Sequence, residues 1–284
     1  MAIVIESTTI GTWSNTNTSH VLAKPSGLVI GDLMLLVLST NRAATLPSGF
    51  TEIIGTAVSM VSLNYSYKIA TSADVAASDF TYTTATNAIT CGMIYRLSGA
   101  SEITLNDSFL IEEGGGSGSP SEATSLTPLV TDTLLIMALS TYDASNNVNT
   151  SAYTVTGGTN PTWTERIDSG FYYGSGFTTL AVADGTYDSV TEITNIACTI
   201  DDTCYREIFG ILVIHPKTNA TGTNTLLENT NFIPAPSAQS GTNGTVTDLL
   251  VGTPTIQVPI SNVDQPIVWT NEARVSTTWT NESQ

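Results

Sequence analysis

The sequence predicts an all-β protein with almost no helix, built as two tandem related β-sandwich (jelly-roll-like) domains followed by an extended C-terminal arm. Three observations predict it. Threonine, whose branched Cβ favours extended backbone, recurs between the Gly, Asn and Pro residues that punctuate turns. An apolar strand pattern occurs twice: Leu28-Val29-Ile30-Gly31-Asp32-Leu33-Met34-Leu35-Leu36-Val37-Leu38-Ser39-Thr40 returns as Leu129-Val130-Thr131-Asp132-Thr133-Leu134-Leu135-Ile136-Met137-Ala138-Leu139-Ser140-Thr141. From Lys217 onward the apolar runs thin out, and Pro234, Pro236, Pro254, Pro259 and Pro266 interrupt the chain.

The repeat extends past its first strand. Pro47-Ser48-Gly49-Phe50-Thr51-Glu52-Ile53 matches Pro161-Thr162-Trp163-Thr164-Glu165-Arg166-Ile167 with one deletion, Tyr65 to Ala70 matches Thr178 to Ala183, and Gly92 to Leu97 matches Gly210 to His215. The offset grows from 100 at Asp32/Asp132 to 113 at Ala70/Ala183 and 118 at Gly92/Gly210, the trace that duplication followed by loop insertion leaves.

Taken in order, Ile3-Val4-Ile5 with Ile10 predicts a first strand and His20 to Ala23 a second, before a Pro25-Ser26-Gly27 turn. Leu33 to Leu38 is apolar at successive positions, as in a central strand covered on both faces. Leu63, Tyr65, Tyr67 and Ile69 alternate with Asn64, Ser66 and Lys68, which predicts a strand with one wet face. Ser72 to Ala77 supports one helical turn, Phe80 and Tyr82 continue the alternation, and Ile89 to Leu97 is a second central strand. The second unit repeats this with Ser125 to Leu139, Thr162 to Ile167, Phe177 to Val182, Ile193 to Ile200 and Ile208 to Ile214. These runs place the first domain at 1–111, a Gly/Ser-rich linker or surface loop at 112–124, the second domain at 125–216 and the arm at 217–284. The arm has too little apolar sequence for its own core, so it is expected to borrow a surface.

Charge and composition narrow the function. Charged residues make up 12% of the chain, yet the formal net charge is −17, because 25 acids face 8 Lys plus Arg. A surface this poor in cations has little with which to hold phosphates, so neither nucleic acid nor membrane insertion is expected. The start, Met1 to Glu6, lacks the basic segment of a signal peptide. Two histidines far apart in sequence, and no HExxH, CxxC or phosphate-loop pattern, predict no catalytic residue, no metal and no cofactor. Paired acids at Glu112/Glu113 and Asp201/Asp202 read as loop and turn residues, and Asp184, Asp188, Asp201 and Asp202 lack EF-hand spacing for Ca²⁺. Asp32 and Asp132 read as turn acids at strand entrances. Cys91 reads as a buried hydrophobe, whereas Cys198 and Cys204 could face each other across a hairpin.

Aromatic residues are the better binding candidates. Trp269-Thr270-Asn271-Glu272 recurs as Trp279-Thr280-Asn281-Glu282, so Trp269, Trp279, Asn271 and Asn281 read either as a hairpin packed on the protein's own flank or as an anchor docking onto a neighbouring subunit. Trp13, Trp163, Tyr172 and Tyr173 are candidates for contact with a ligand such as a glycan.

Pro25-Ser26-Gly27-Leu28 with Gly31-Asp32-Leu33, Pro47-Ser48-Gly49-Phe50-Thr51, Tyr67-Lys68-Ile69-Ala70 with Ala73-Asp74, and Tyr95-Arg96-Leu97-Ser98-Gly99-Ala100 together resemble a β-rich module of tailed-bacteriophage virion proteins. The terminal Trp-Thr-Asn-Glu repeats resemble those ending some phage head- or tail-associated proteins. The likeness covers roughly residues 20–100 and the last 20, and it brings no catalytic residues with it. It implies a virion location and a structural role without enzymatic activity, as a capsid accessory or decoration protein or a tail or fibre component, with other virion subunits as partners and homo-oligomeric assembly. The rival expectation is a module of a tail fibre that binds a carbohydrate or host receptor, with a host surface glycan as partner.

Overall fold

The computed structural model describes residues 2–13, 17–58, 60–101, 108–113, 120–143, 148–173 and 176–217. The first half of this body holds β1 (Val4–Trp13), β2 (Ser19–Ala23), β3 (Leu33–Thr40), β4 (Ala44–Thr45), β5 (Thr51–Val58), β6 (Val61–Ile69), α1 (Ser72–Ala76), β7 (Asp79–Thr84) and β8 (Thr90–Ser98). The second half holds β9 (Ser108–Glu113), β10 (Ser121–Leu126), β11 (Thr133–Asp143), β12 (Thr150–Thr156), β13 (Thr164–Tyr173), β14 (Gly176–Tyr187), β15 (Ile193–Ile200) and β16 (Arg206–Ile214). The expected helical turn is α1; a capping box between Thr71 and Asp74 satisfies backbone N–H groups at its start.

The strands form four antiparallel sheets. In the first half they run β1-β8-β3-β6-β5 and β2-β7-β4, and in the second β9-β16-β11-β14-β13 and β10-β15-β12. Counted from the start of its own half, each strand therefore has the same neighbours in both. The halves also share a detail: β5 carries a bulge between Glu52 and Ile54, and β13 one between Glu165 and Ile167, each on an edge strand.

The large sheets are covered on both faces. Met34, Leu36 and Leu38 of β3 pack with Leu22, Phe80 and Tyr82 of the small sheet, and Leu135, Met137 and Leu139 of β11 pack with Tyr153, Val155 and Ile196 of its own small sheet. The alternate residues Leu33, Leu35 and Val37 meet Leu134, Ile136 and Ala138 in a third core to which both halves contribute. Alternation at period two thus sends one set of side chains outward to a small sheet and the other inward to the opposite half. This is why every position of β3 and of β11 is buried, as the apolar run in β3 predicts.

Contacts across the middle core are reciprocal. β6 lies against β11 and β16, while β14 lies against β3 and β8; β5 meets β9 and β16, while β13 meets β1 and β8. Ser39 Oγ and Ser140 Oγ meet at 2.5 Å between the halves, one donating to the other; the remaining hydroxyl proton has a carbonyl within reach from either side, that of Ser62 at 3.1 Å from Ser140 or that of Thr179 at 3.5 Å from Ser39. Thr40 pairs with Ser62 and Thr141 with Thr179, so these two carbonyls hold equivalent places. Beyond β8 and β16 the chain segments pair again: Ser101 N–H donates to the His215 carbonyl at 2.8 Å and Lys217 N–H to that of Gly99 at 2.7 Å.

The ladders correct several sequence expectations. Because Ser39 answers Ser140 and Leu33 answers Leu134, Asp132 corresponds to Gly31 and not to Asp32. Both take left-handed backbone, with φ of 59° and 90°. Through the same ladders Tyr65 corresponds to Val182, and Gly92 to Phe209. Similar Thr-rich strands slide along each other in a sequence comparison, whereas hydrogen bonds admit one register. The face of β6 expected to be wet is covered: Ser66 is buried and Asn64 and Lys68 are half-buried, since this sheet has layers on both sides. Glu112 and Glu113, expected beside the glycine run, end β9 opposite Ile208 and Glu207, and the stretch assigned to a linker finishes inside β10. Ser125 to Leu139 divides between β10 and β11.

Candidate functional site

Among the sequence-predicted aromatic residues, the described side chain is that of Trp163. Trp269, Trp279, Asn271 and Asn281 lie outside the described residues. Trp13 ends β1 opposite Thr90, and Tyr172 and Tyr173 lie in β13 opposite Phe177 and Gly176; for these three the description is confined to the backbone.

Trp163 is half-buried. Its ring lies 6.1 Å from that of Tyr153, and its Nε1 donates to Asn160 Oδ1 at 3.1 Å. The same Asn160 oxygen accepts the Val155 N–H at 3.0 Å, so the indole is tied to the start of β13 and to β12. Because Thr51 and Thr164 hold equivalent places in β5 and β13, Trp163 corresponds to Phe50, which packs edge-on to Phe80 at 5.7 Å. Both rings close the outer core of their own half.

A polar cluster that sequence reasoning missed lies at the seam between the halves. Arg166, the bulged residue of β13, holds Asp184 of β14 through two bonds, from Nε to Oδ2 and from an Nη to Oδ1 at 3.0 Å. Tyr95 of β8 reaches across from the other half and donates to Asp184 Oδ2 at 3.2 Å. The Asp184 side chain is 5% exposed and that of Arg166 30%. The bonds to Asp184 raise the Arg166 pKa, while burial, reinforced by Asp184, raises that of Tyr95 well above its ordinary value. A cleft of about 320 Å³ opens beside the pair and includes Ile3, Ile5, Leu134, Thr164 and Thr186 in its lining. In the opposite seam the places of Tyr95, Asp184 and Arg166 are taken by Leu212, Tyr67 and Ile53, which join the apolar middle core. The cluster holds its three strands in register, and the bulge explains why no strand alternation could announce it.

A second ion pair fixes the entrance to β3. Asp32 Oδ2 accepts the Val29 N–H at 3.1 Å, the local turn role expected of it, and also Arg96 Nε at 2.5 Å. The second half has Thr133 and Val213 in these places, and the Thr133 hydroxyl donates instead to the Tyr187 carbonyl at 3.2 Å. Lys68 to Asp74, at 2.6 Å, ties β6 to α1. Burial pushes the Asp74 pKa up, but bonds from Lys68 and Thr71 bring it below the usual carboxylate range overall.

Several other described ionisable groups are engaged locally. His20 is buried, stacks on Tyr82 at 5.0 Å and meets Thr84 Oγ1 at 3.1 Å; burial lowers its pKa. Asp201 accepts both the backbone N–H and the side-chain amide of Asn149, and Asp202 accepts the Thr203 N–H, which are the turn roles expected of them. Asp168 accepts the Thr150 N–H at 2.6 Å; burial pushes its carboxyl up to about 6, an effect that the Thr150 bond opposes and nearby Glu165 increases. Cys91, Cys198 and Cys204 are free buried thiols, so the considered bridge is not formed, and Cys204 donates to Glu207 at 3.2 Å. Among the described residues no group of three or more His, Cys, Asp or Glu is placed to hold a metal, and no helix is long and apolar enough to cross a membrane.

No known protein family, curated protein or solved structure matches this chain.

Proposed function

We propose that the chain is a non-enzymatic structural component of a tailed-bacteriophage virion, which assembles onto or stabilises the capsid or tail through inter-subunit contacts. In this reading its body is a duplicated sandwich of jelly-roll-like strand order, and residues 217–284 are an arm that engages a neighbouring subunit. The observation that carries the proposal is the use made of the buried polar side chains. Each described ion pair clamps a turn, a helix start or a strand register, and the Ser39–Ser140 and Tyr95–Asp184 bonds join the two halves. Such placement suits a body that transmits load between neighbours. The resemblance in residues 20–100 supports the same reading, because its turn motifs fall at the entrances to β3 and β5 and at the end of β8.

Removal of residues 217–284 tests it. The truncated chain is expected to keep its folded body and to lose incorporation into particles. Unchanged incorporation would reject the arm as the assembly element, and specific binding of a glycan by the truncated body would favour receptor recognition instead.

A further inference from the structure

We infer that the inner face of each large sheet is also a docking surface for a second copy of this chain, so that two chains can exchange halves. The first half of one would then close on the second half of the other. The inference rests on reading the halves as related modules and does not depend on residues 217–284.

Three features lead to it. The contacts across the middle core are reciprocal, the geometry of a two-fold-related association face, with Ser39 meeting its own counterpart Ser140. Such a face is complementary to its relative wherever that relative resides. Second, the middle core takes Leu33, Leu35, Val37, Tyr65, Met93 and Tyr95 from one half alone, so a separated half would bare an apolar surface larger than single soluble domains tolerate. Whenever the halves part, during folding or in a crowded assembly, that surface has to be covered again. Third, the ladders belonging to the first half end at Ser98 and those of the second begin at Ser108, so the chain passes between the halves once. Exchange therefore requires neither sandwich to unfold and no segment to be threaded.

Within one chain the tether gives each half a high effective concentration of its partner, so the closed monomer prevails in dilute solution. Exchange becomes competitive as protein concentration rises. Its product is either a closed pair or an open string of chains, and both link copies without any new interface.

The full-length variants Ser39→Cys and Ser140→Cys test this, one carrying a size tag. Neither can form a 39–140 disulfide within its own chain. All variants are built on Cys91→Ala, Cys198→Ala and Cys204→Ser, because positions 39 and 140 are as buried as the native thiols and Cys91 lies opposite position 39 in the β3–β8 ladder, where it would compete for the new thiol. The two variants are unfolded together in reductant, refolded over a range of protein concentrations in a glutathione redox buffer, so that the introduced thiols can pair as the face closes, and run on a non-reducing gel. The expected result is a covalent dimer containing one chain of each kind, growing with concentration. The inference is overturned if no mixed dimer forms at any concentration while the single-chain double variant Ser39→Cys/Ser140→Cys closes its internal bond. Failure of the double variant to close would overturn it too, by removing the contact on which the face-to-face geometry stands. A dimer of Ser39→Cys with itself would place two first halves together and refute exchange. None of these outcomes depends on incorporation into particles, so this inference and the assembly role fail separately.

Discussion

Replacing Arg166 by Met removes the cation and leaves Asp184 with Tyr95 alone, in a place where the carboxylate is 5% exposed. Breaking a buried pair from one side costs about 3–5 kcal/mol, since the remaining charge is uncompensated. The Arg166 side chain is 30% exposed, so some water reaches the site and the lower end applies, about 3 kcal/mol. For a body of this size that corresponds to a fall of about 6–12 °C in Tm. Thermal and urea unfolding followed by near-ultraviolet circular dichroism measure it. The opposite seam supplies the control, because Leu212, Tyr67 and Ile53 fill the equivalent places without charge. The triple variant Arg166→Met/Asp184→Leu/Tyr95→Phe removes both charges and the hydroxyl together, and it is expected to recover most of the loss. A cost below about 1 kcal/mol for Arg166→Met would refute the assignment of a desolvated pair. So would a triple variant no more stable than the single one.

Removing one hydroxyl of the Ser39–Ser140 pair by Ser→Ala leaves the other buried with a poorer set of partners, at about 1–2 kcal/mol each; the double Ser39→Ala/Ser140→Ala variant should cost clearly less than the sum, measured by a double-mutant cycle in urea. Asp168 has a folded pKa of about 6, above the roughly 3.9 of an unfolded aspartate. Its contribution is therefore fully present below about pH 4 and is lost as pH rises through about 6. Asp168→Asn should flatten that part of the stability–pH curve, and an unchanged slope would show that Asp168 is not its source. Gly157 has φ of 104°, and a Cβ there would come 1.9 Å from the Glu192 carbonyl oxygen. Gly157→Ala should thus cost more than about 2 kcal/mol, seen as a lower Tm or a loss of soluble protein, whereas Gly31→Ala, with open space around it, should cost less.

What the sequence revealed of this architecture follows from how far each signal travels along the chain. Leu33 to Leu38 announces a strand covered on both faces because burial on two sides removes the alternation locally. The capping residues Thr71 and Asp74 sit three apart, so the single helical turn is legible as well. The repeat was legible as a pattern, and Leu28 to Thr40 set against Leu129 to Thr141 has the register of the ladders; pairing Asp32 with Asp132 slips it by one residue, which exchanges the inner and outer faces, and the ladder decides between the two. β9 lies beside the glycine run and was hidden because its pairing with β16 spans most of the second half. The cluster of Tyr95, Arg166 and Asp184 was invisible for two reasons. Arg166 sits on a bulge, outside any period, and Tyr95 arrives from the other half. Trp163 stood out as a large aromatic, but its tie to Asn160 and Tyr153 depends on a turn conformation that composition does not encode.

The back-to-back stacking of the large sheets limits where the two copies of the pattern can drift apart. A change near Ser39 or Ser140 is pressed against its own relative, and each copy polices the other there. The outward layers β2-β7-β4 and β10-β15-β12 have no such chaperone. Novelty in this chain is thereby steered to its two far ends, which are free to carry unlike surfaces although they share one strand order.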